Sequence, residues 1–185
     1  LPTKSLRPML RRVVDRTFNS MSIDTDTSTS DTVVLMANGL AGPVNIREFE
    51  AGLFEVCEYL TREIARSGEG ATKLITVAVN GAKTTTQAKR IGKFVVNSPL
   101  VKTAVYGCDP NWGRVIMAVG KSFDITIEPR KVTIGFGDTY VFRKGSPVDC
   151  DLEALRAYLG QKEVSISVDL GIGKASARVW GCDLT

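Results

Sequence analysis

The sequence predicts an α+β fold built on a mixed or antiparallel sheet. Two long segments carry helical periodicity, at residues 5 to 19 and from residue 45 onward. One segment, "KVTIGFGDTYVFRKG", alternates about a central Gly137-Asp138, as a hairpin does. Two further strand-like runs, at about 163 to 169 and 175 to 182, follow each other with no helix between them. That order departs from a strict strand–helix alternation and excludes a doubly wound sheet. The 185 residues with 43% apolar content suit one domain, residues 1–185, with a sizeable core.

The first helix places Leu6, Leu10, Val13, Val14 and Phe18 on one stripe, with Pro8 expected in its first turn. Lys4, Arg7, Arg11, Arg12 and Arg16 crowd the polar side, which suits a solvated face or an acidic partner surface. "VVLMANG", residues 33 to 39, is a short apolar run ending in a turn signal, so a buried strand is expected. Asn45 and Glu48 have capping-box spacing at the start of the second helix. Ile46, Phe49, Leu53, Phe54, Cys57, Leu60 and Ile64 form its stripe, and Gly68 is expected to end it in the left-handed conformation.

A strand is expected at about 73 to 80. A helix then runs from the Thr84–Thr86 cluster to Val96, with Ala88, Ile91 and Val95 inward. Residues 100 to 106 read as a strand, and "DPNWGRVIMAVGKSF" as a turn entering a helix. Asp151 caps a short helix through Leu159. The final strand can continue past Thr185.

Composition narrows the chemistry. A net charge of +4 is too mild to imply nucleic acid unless the positives cluster. No apolar run reaches the ~18 residues of a membrane span, and no secretion signal is visible. Cys57, Cys108, Cys150 and Cys182 form no CxxC pair, so zinc is not expected and free thiols are. Histidine is absent, which removes Ser-His-Asp and Cys-His catalysis within the chain.

Three segments are candidates for sites. "DTDTSTSDT", residues 24 to 32, starts like a calcium loop, but Thr29 stands where glycine is needed and Leu35 where glutamate is needed. Its hydroxyls suit local turns or the lining of a polar pocket. "GEGATK" lacks the Walker spacing and follows a helix, so it is no phosphate loop. Glu69 between Gly68 and Gly70 suits an ammonium group, and the spacing alone admits a structural turn equally. "CDPNWGR" places Asp109 and Asn111 at a helix start, with Trp112 as core anchor and Arg114 as a carboxylate partner. A structural turn with an internal ion pair is the plainer reading.

Taken together, "DRTFNSMSIDTDTSTSDTVVLMANG", "GEGATKLITVAVNGAK", "GCDPNWGRVIMAVG" and "VSISVDLGIGKASARVWGCDLT" resemble, in order, segments of the ornithine acetyltransferase (glutamate N-acetyltransferase) family. The resemblance implies an α+β fold with mixed sheets layered between helices, helix/sheet/sheet/helix. It implies a precursor that cuts itself before a threonine into α and β pieces, commonly assembled as α2β2, with this chain similar to the β piece. The new N-terminal threonine would be the nucleophile, passing acetyl from N-acetylornithine to glutamate by a ping-pong route. No cofactor is implied, although some members accept acetyl-CoA. An N-terminal threonine can use its own α-amine as base and needs no histidine.

That threonine is expected upstream of Leu1, so no catalytic residue is assigned within the chain; Thr3 is internal and leads into a helix. The resemblance carries one site residue across, Glu69 as a substrate-binding glutamate, with Gly68 and Gly70 in support. It implies N-acetylornithine, ornithine and glutamate as ligands and the α piece as partner. It implies no metal, nucleic acid or membrane, and a cytoplasmic setting, or a mitochondrial one in a eukaryote. The alternatives are a related N-terminal-nucleophile hydrolase and a non-catalytic small-molecule binding domain.

Overall fold

The computed structural model describes residue 1, residues 3–122 and residues 126–184, with only the backbone of Thr3. The expected end of the "DPNWGRVIMAVGKSF" helix at Phe123 and the strand past Thr185 lie outside the described residues.

The chain runs α1 (Thr3–Arg16), α2 (Ile46–Arg66), β1 (Leu74–Ala82), α3 (Thr85–Val96), α4 (Pro99–Tyr106), α5 (Trp112–Val119), β2 (Thr133–Phe136), β3 (Thr139–Arg143), β4 (Ser146–Pro147), α6 (Leu152–Leu159), β5 (Glu163–Asp169) and β6 (Ala175–Cys182). Its strands form one six-stranded mixed sheet in the order β4-β3-β2-β5-β1-β6. The expected α+β class with mixed pairing is therefore observed.

β1 is the organising strand. It pairs parallel with β5, Leu74 opposite Glu163, and antiparallel with β6, Leu74 opposite Cys182. Because opposed residues share a face, Ile75, Val77 and Val79 line up with Val164, Ile166 and Val168, and with Val179 across the other edge. All of these are buried, and Ala88, Ile91 and Val95 of α3, Val115 and Ala118 of α5, and Leu155 and Leu159 of α6 join them in one core. The opposite face carries Thr76, Ala78, Asn80, Ser165, Ser167, Ser176 and Arg178, none of them buried. There α2 closes only a corner, where Ala65 meets Leu74 and Trp180.

Local signals explain most elements. Asn45 caps α2, its Oδ1 accepting from the N–H of Arg47 at 3.0 Å, while its amide donates to Glu48 Oε1 at 3.0 Å. Thr84 Oγ1 accepts from Gln87 N at 3.1 Å to start α3, and Asp151 Oδ1 accepts from Glu153 N and Ala154 N, both at 3.0 Å, to start α6.

Several expectations are corrected. Residues 100 to 106 form helix α4, not a strand. Pro99 stands at its first position, where a missing N–H costs nothing. Val101, Ala104 and Val105 point inward at helical spacing, so a short β-branched run was ambiguous. Residues 33 to 39 form no strand and are not buried: Val34 is 67% exposed and Met36 is 86% exposed. No described strand pairs with them. α1 begins earlier than expected, so Pro8 lies beyond the first turn and costs the bond to the Lys4 carbonyl. Its buried anchors are Met9 and Val13, with Leu6, Leu10 and Val14 half-buried. In α2 the inward positions are Cys57, Thr61 and Ala65, while Ile46, Leu60 and Ile64 of the expected stripe are exposed. The apolar surface of this helix is wider than the face it buries.

The basic side of α1 is partly spent inside the molecule. Arg12 makes a two-pronged contact with Glu50 of α2, at 2.8 and 2.7 Å, and Arg16 stacks 4.3 Å over the Phe54 ring. The Arg12 guanidinium, chiefly through its hydrogen bond, holds the Glu50 carboxyl below its ordinary range. At this exposed site the pair is worth little.

Two outcomes follow for the fold. α3 reaches β6 through Gly92, where an added Cβ would lie 2.6 Å from Val179 Cγ2. Gly92→Val should lower unfolding free energy by about 1–3 kcal/mol in urea titrations. The four cysteines are free thiols, and burial pushes the thiols of Cys57 and Cys182 up. Protonated buried thiols alkylate slowly, so iodoacetamide at mildly alkaline pH should label Cys108 and Cys150 first, read by peptide mass. The unfolded chain ionises Cys57 and Cys182 at the ordinary ~8.5, whereas burial raises both in the folded chain. Their contribution to stability is therefore intact below that pH and is lost as pH rises above it.

Candidate functional site

The turn between α2 and β1 carries Glu69. α2 stops at Ser67, whose N–H still reaches the carbonyls of Glu63 and Ile64, at 3.0 and 3.2 Å. The chain then folds through Gly68-Glu69-Gly70-Ala71, closed by the N–H of Ala71 donating to the Gly68 carbonyl at 2.9 Å. Gly70 is third in this four-residue turn and has φ of +74°. Positive φ at that position is what a type II turn requires, and glycine supplies it without strain. Gly68 is not the left-handed residue the sequence suggested; Gly70 is. Gly68 is small for another reason: an added Cβ would sit 3.0 Å from both Cys182 Sγ and Ile23 Cγ2.

The turn leaves Glu69 at its corner, exposed, and its carboxylate makes no hydrogen bond or ion pair with the described residues. The turn closes through backbone groups alone, so the carboxylate is not what closes it.

Behind the turn lies a buried polar frame that sequence reasoning missed. Asp183, just past β6, is wholly buried. Its Oδ1 accepts from the N–H groups of Thr72 and Lys73, at 2.8 and 3.0 Å, and its Oδ2 from the Thr72 hydroxyl at 2.5 Å. Lys73 turns its ammonium onto the end of α4, donating to the carbonyls of Val105 and Tyr106, at 2.7 and 3.1 Å, and to Cys108 Sγ at 3.2 Å. A cation belongs at a helix C-terminus, where the last carbonyls are unpaired. Lys102 of α4 answers by donating to the carbonyls of Cys182 and Asp183, at 2.9 and 3.1 Å. The available signal was a lysine inside the apolar run "PLVKTAVY" and the pair "TK" entering a strand: charges among buried positions need partners.

The "DPNWGR" residues are structural. Asn111 Oδ1 caps α5, accepting from Arg114 N at 3.2 Å, and its amide donates to Asp109 Oδ2 at 3.1 Å. Trp112 stacks on Phe142 with centroids 4.6 Å apart. The expected internal ion pair is replaced: Arg114 donates to the Leu100 carbonyl and Thr103 Oγ1 of α4, at 2.9 and 3.0 Å. The 24–32 segment follows the turn reading, with Asp24 Oδ1 accepting from Asp26 N at 2.9 Å and Ser28 Oγ from Ser30 N at 3.1 Å. Among the described residues no group of three or more Cys, Asp or Glu side chains could hold a metal. A cleft of about 360 Å³ opens on the polar sheet face beside Asp15, Arg16, Asn80, Lys89 and Arg178; Glu69 does not line it.

Comparison with known proteins places this arrangement. The profile of the ArgJ family matches residues 1–185. The chain is 53% identical to the arginine biosynthesis bifunctional protein ArgJ of Rhodococcoides fascians, covering 100% of this chain and 46% of that protein. It is 57% identical to glutamate N-acetyltransferase Oat2 of Streptomyces clavuligerus, over 96% of this chain and 46% of the relative. The chain thus spans about half the length of the curated relatives it matches. The crystal structure of the arginine biosynthesis bifunctional protein argJ from Bacillus halodurans superimposes with a TM-score of 0.95 at 40% identity, covering 100% of this chain and 90% of that one. With a family profile matched along its whole length and a superimposable solved relative, this chain belongs to the ArgJ family.

Proposed function

We propose that this chain is the β piece of a self-cleaved glutamate N-acetyltransferase of arginine biosynthesis, working with an α piece from the same precursor, as α2β2. The observation that carries the reading is the family match over all 185 residues, in a chain that spans only 46% of relatives named as arginine biosynthesis and glutamate N-acetyltransferase proteins. The nucleophile is an N-terminal threonine upstream of Leu1. Its α-amine takes the hydroxyl proton as the oxygen attacks the acetyl carbonyl of N-acetylornithine. The threonine α-ammonium returns that proton to the leaving nitrogen, so ornithine departs as the free amine and an acetyl-threonine ester remains. The amine of glutamate then attacks that ester and restores the hydroxyl. No cofactor takes part, and acetyl-CoA is an alternative acetyl donor. The setting is cytoplasmic, or mitochondrial in a eukaryote; among the described residues no helix is long and apolar enough to cross a membrane.

Glu69 binds the ammonium form of the departing or incoming amine. Its exposed carboxylate, unpaired among the described residues, supports this role, since an anion held away from internal cations keeps its charge for a ligand. The partner is supported by what the chain leaves open. Val34, Met36 and Leu40 in the extended 22–45 segment, and Val56, Tyr59, Leu60 and Ile64 on α2, are exposed together with one polar sheet face. Apolar surface on this scale calls for a cover.

Three outcomes test the reading. Expressed alone, residues 1–185 should self-associate, and co-expression with the α piece should give a monodisperse complex by light scattering; a stable monomer at high concentration would count against the partner. In the full-length precursor, mass spectrometry should find a new N-terminal threonine shortly before Leu1, and its replacement by alanine should stop both cleavage and acetyl transfer; an uncleaved protein with full activity would remove the mechanism. In the complete enzyme, Glu69→Gln should lower kcat/KM roughly ten- to a hundred-fold while cleavage persists, since a charge-assisted bond is worth about 1.5–3 kcal/mol. Normal kinetics in a destabilised protein would reduce Glu69 to a turn residue.

A further inference from the structure

We infer that Asp183 and Thr72 are positioning residues: they fix the Glu69 turn in space and thereby set where its carboxylate meets the substrate amine. This rests on the reading of Glu69 as the substrate-binding residue.

The turn has two moorings, and both come from the end of β6. On its α2 side, Gly68 packs close to Cys182 Sγ, where an added Cβ would sit 3.0 Å away. On its β1 side, Thr72 and Lys73 deliver three hydrogen bonds to the Asp183 carboxylate. A carboxylate without solvent needs such partners, so releasing one is costly and the geometry is held tightly. The β6 end is itself fixed. The N–H of Asp183 donates to the Lys73 carbonyl at 3.1 Å, and Lys102 takes the carbonyls of Cys182 and Asp183. Between these moorings only Glu69, Gly70 and Ala71 span the gap. Among the described residues the Glu69 carboxylate makes no hydrogen bond or ion pair, so its position follows from the turn that residues 72 and 183 hold.

The Thr72 hydroxyl is the selective probe. It serves only the Asp183 carboxylate, whose other oxygen keeps both backbone bonds if the hydroxyl is lost. Thr72→Val preserves shape and removes that mooring. A carboxylate displaced by a fraction of an ångström binds its ammonium less well, and rate constants are steep in such displacements.

The experiment is a double-mutant cycle in the complete, processed enzyme with N-acetylornithine and glutamate. Thr72→Val should raise KM for glutamate, whose ammonium Glu69 meets, roughly tenfold with kcat within about twofold. The same substitution in a Glu69→Gln background should change KM by less than about twofold, because the group it positions is already gone. Thr72→Ser should restore the parent KM. If Thr72→Val does not fold, Asp183→Asn replaces it, keeping one oxygen for the two backbone N–H groups. An equal KM effect in both backgrounds, or none recovered by serine, would show a general packing defect and overturn the inference. A silent Thr72→Val beside an impaired Glu69→Gln would overturn the inference alone and leave the proposed function standing. A silent Glu69→Gln would overturn both.

Discussion

A carboxylate removed from water must be surrounded by donors, and in this protein the need of Asp183 organises one whole end of the sheet. Two backbone N–H groups and a hydroxyl converge on it from the first residues leading into β1. The two lysines nearby are not ion-paired with it. They are turned onto carbonyls, Lys73 at the end of α4 and Lys102 at the end of β6. Donors and acceptors are thus matched across three elements that are distant in sequence. Replacing any one member leaves another buried and unsatisfied, which makes the frame rigid.

That rigidity stands beside a very uneven distribution of packing. On one face of the sheet, Val77, Ile166 and Val179 lie under α3, α5 and α6 in a continuous core. On the other, small polar residues and Arg178 remain open, and α2 touches only the Leu74–Trp180 corner. Ion pairs from Arg62 and Arg66 to Glu163, and from Arg178 to Glu58, tie α2 across that corner, but all are exposed and contribute little to stability. The Glu69 turn joins the end of α2 to the start of β1, next to the Asp183 frame.

Where a capping side chain marked a helix start, the reading and the structure agree. The caps at Asn45, Thr84, Asn111 and Asp151 fix helix starts through their own side chains, within one turn of the chain. The Gly137-Asp138 hairpin and the strands of residues 163–169 and 175–182 also stand as read. Where the signal was only apolar content, it failed. "PLVKTAVY" holds enough β-branched residues for a strand, and its helix depends on packing Val101, Ala104 and Val105 inward. "VVLMANG" is apolar, but no described strand accepts it.

The sequence by itself determined the α+β class, the capped helices, the chemical character of "GEGATK" and the resemblance that points to acetyl transfer, because those rest on local chemistry and on ordered motifs. Only the tertiary structure decided that Gly70 and not Gly68 takes the positive φ, that Asp109, Asn111 and Arg114 make contacts within and between α4 and α5, and that Glu69 has no hydrogen bond or ion pair among the described residues. It also brought Asp183 to Thr72, 111 residues apart, and Lys102 to Cys182, 80 residues apart. No local pattern encodes such contacts: a buried charge states that it must be satisfied, and the fold alone selects the groups that satisfy it.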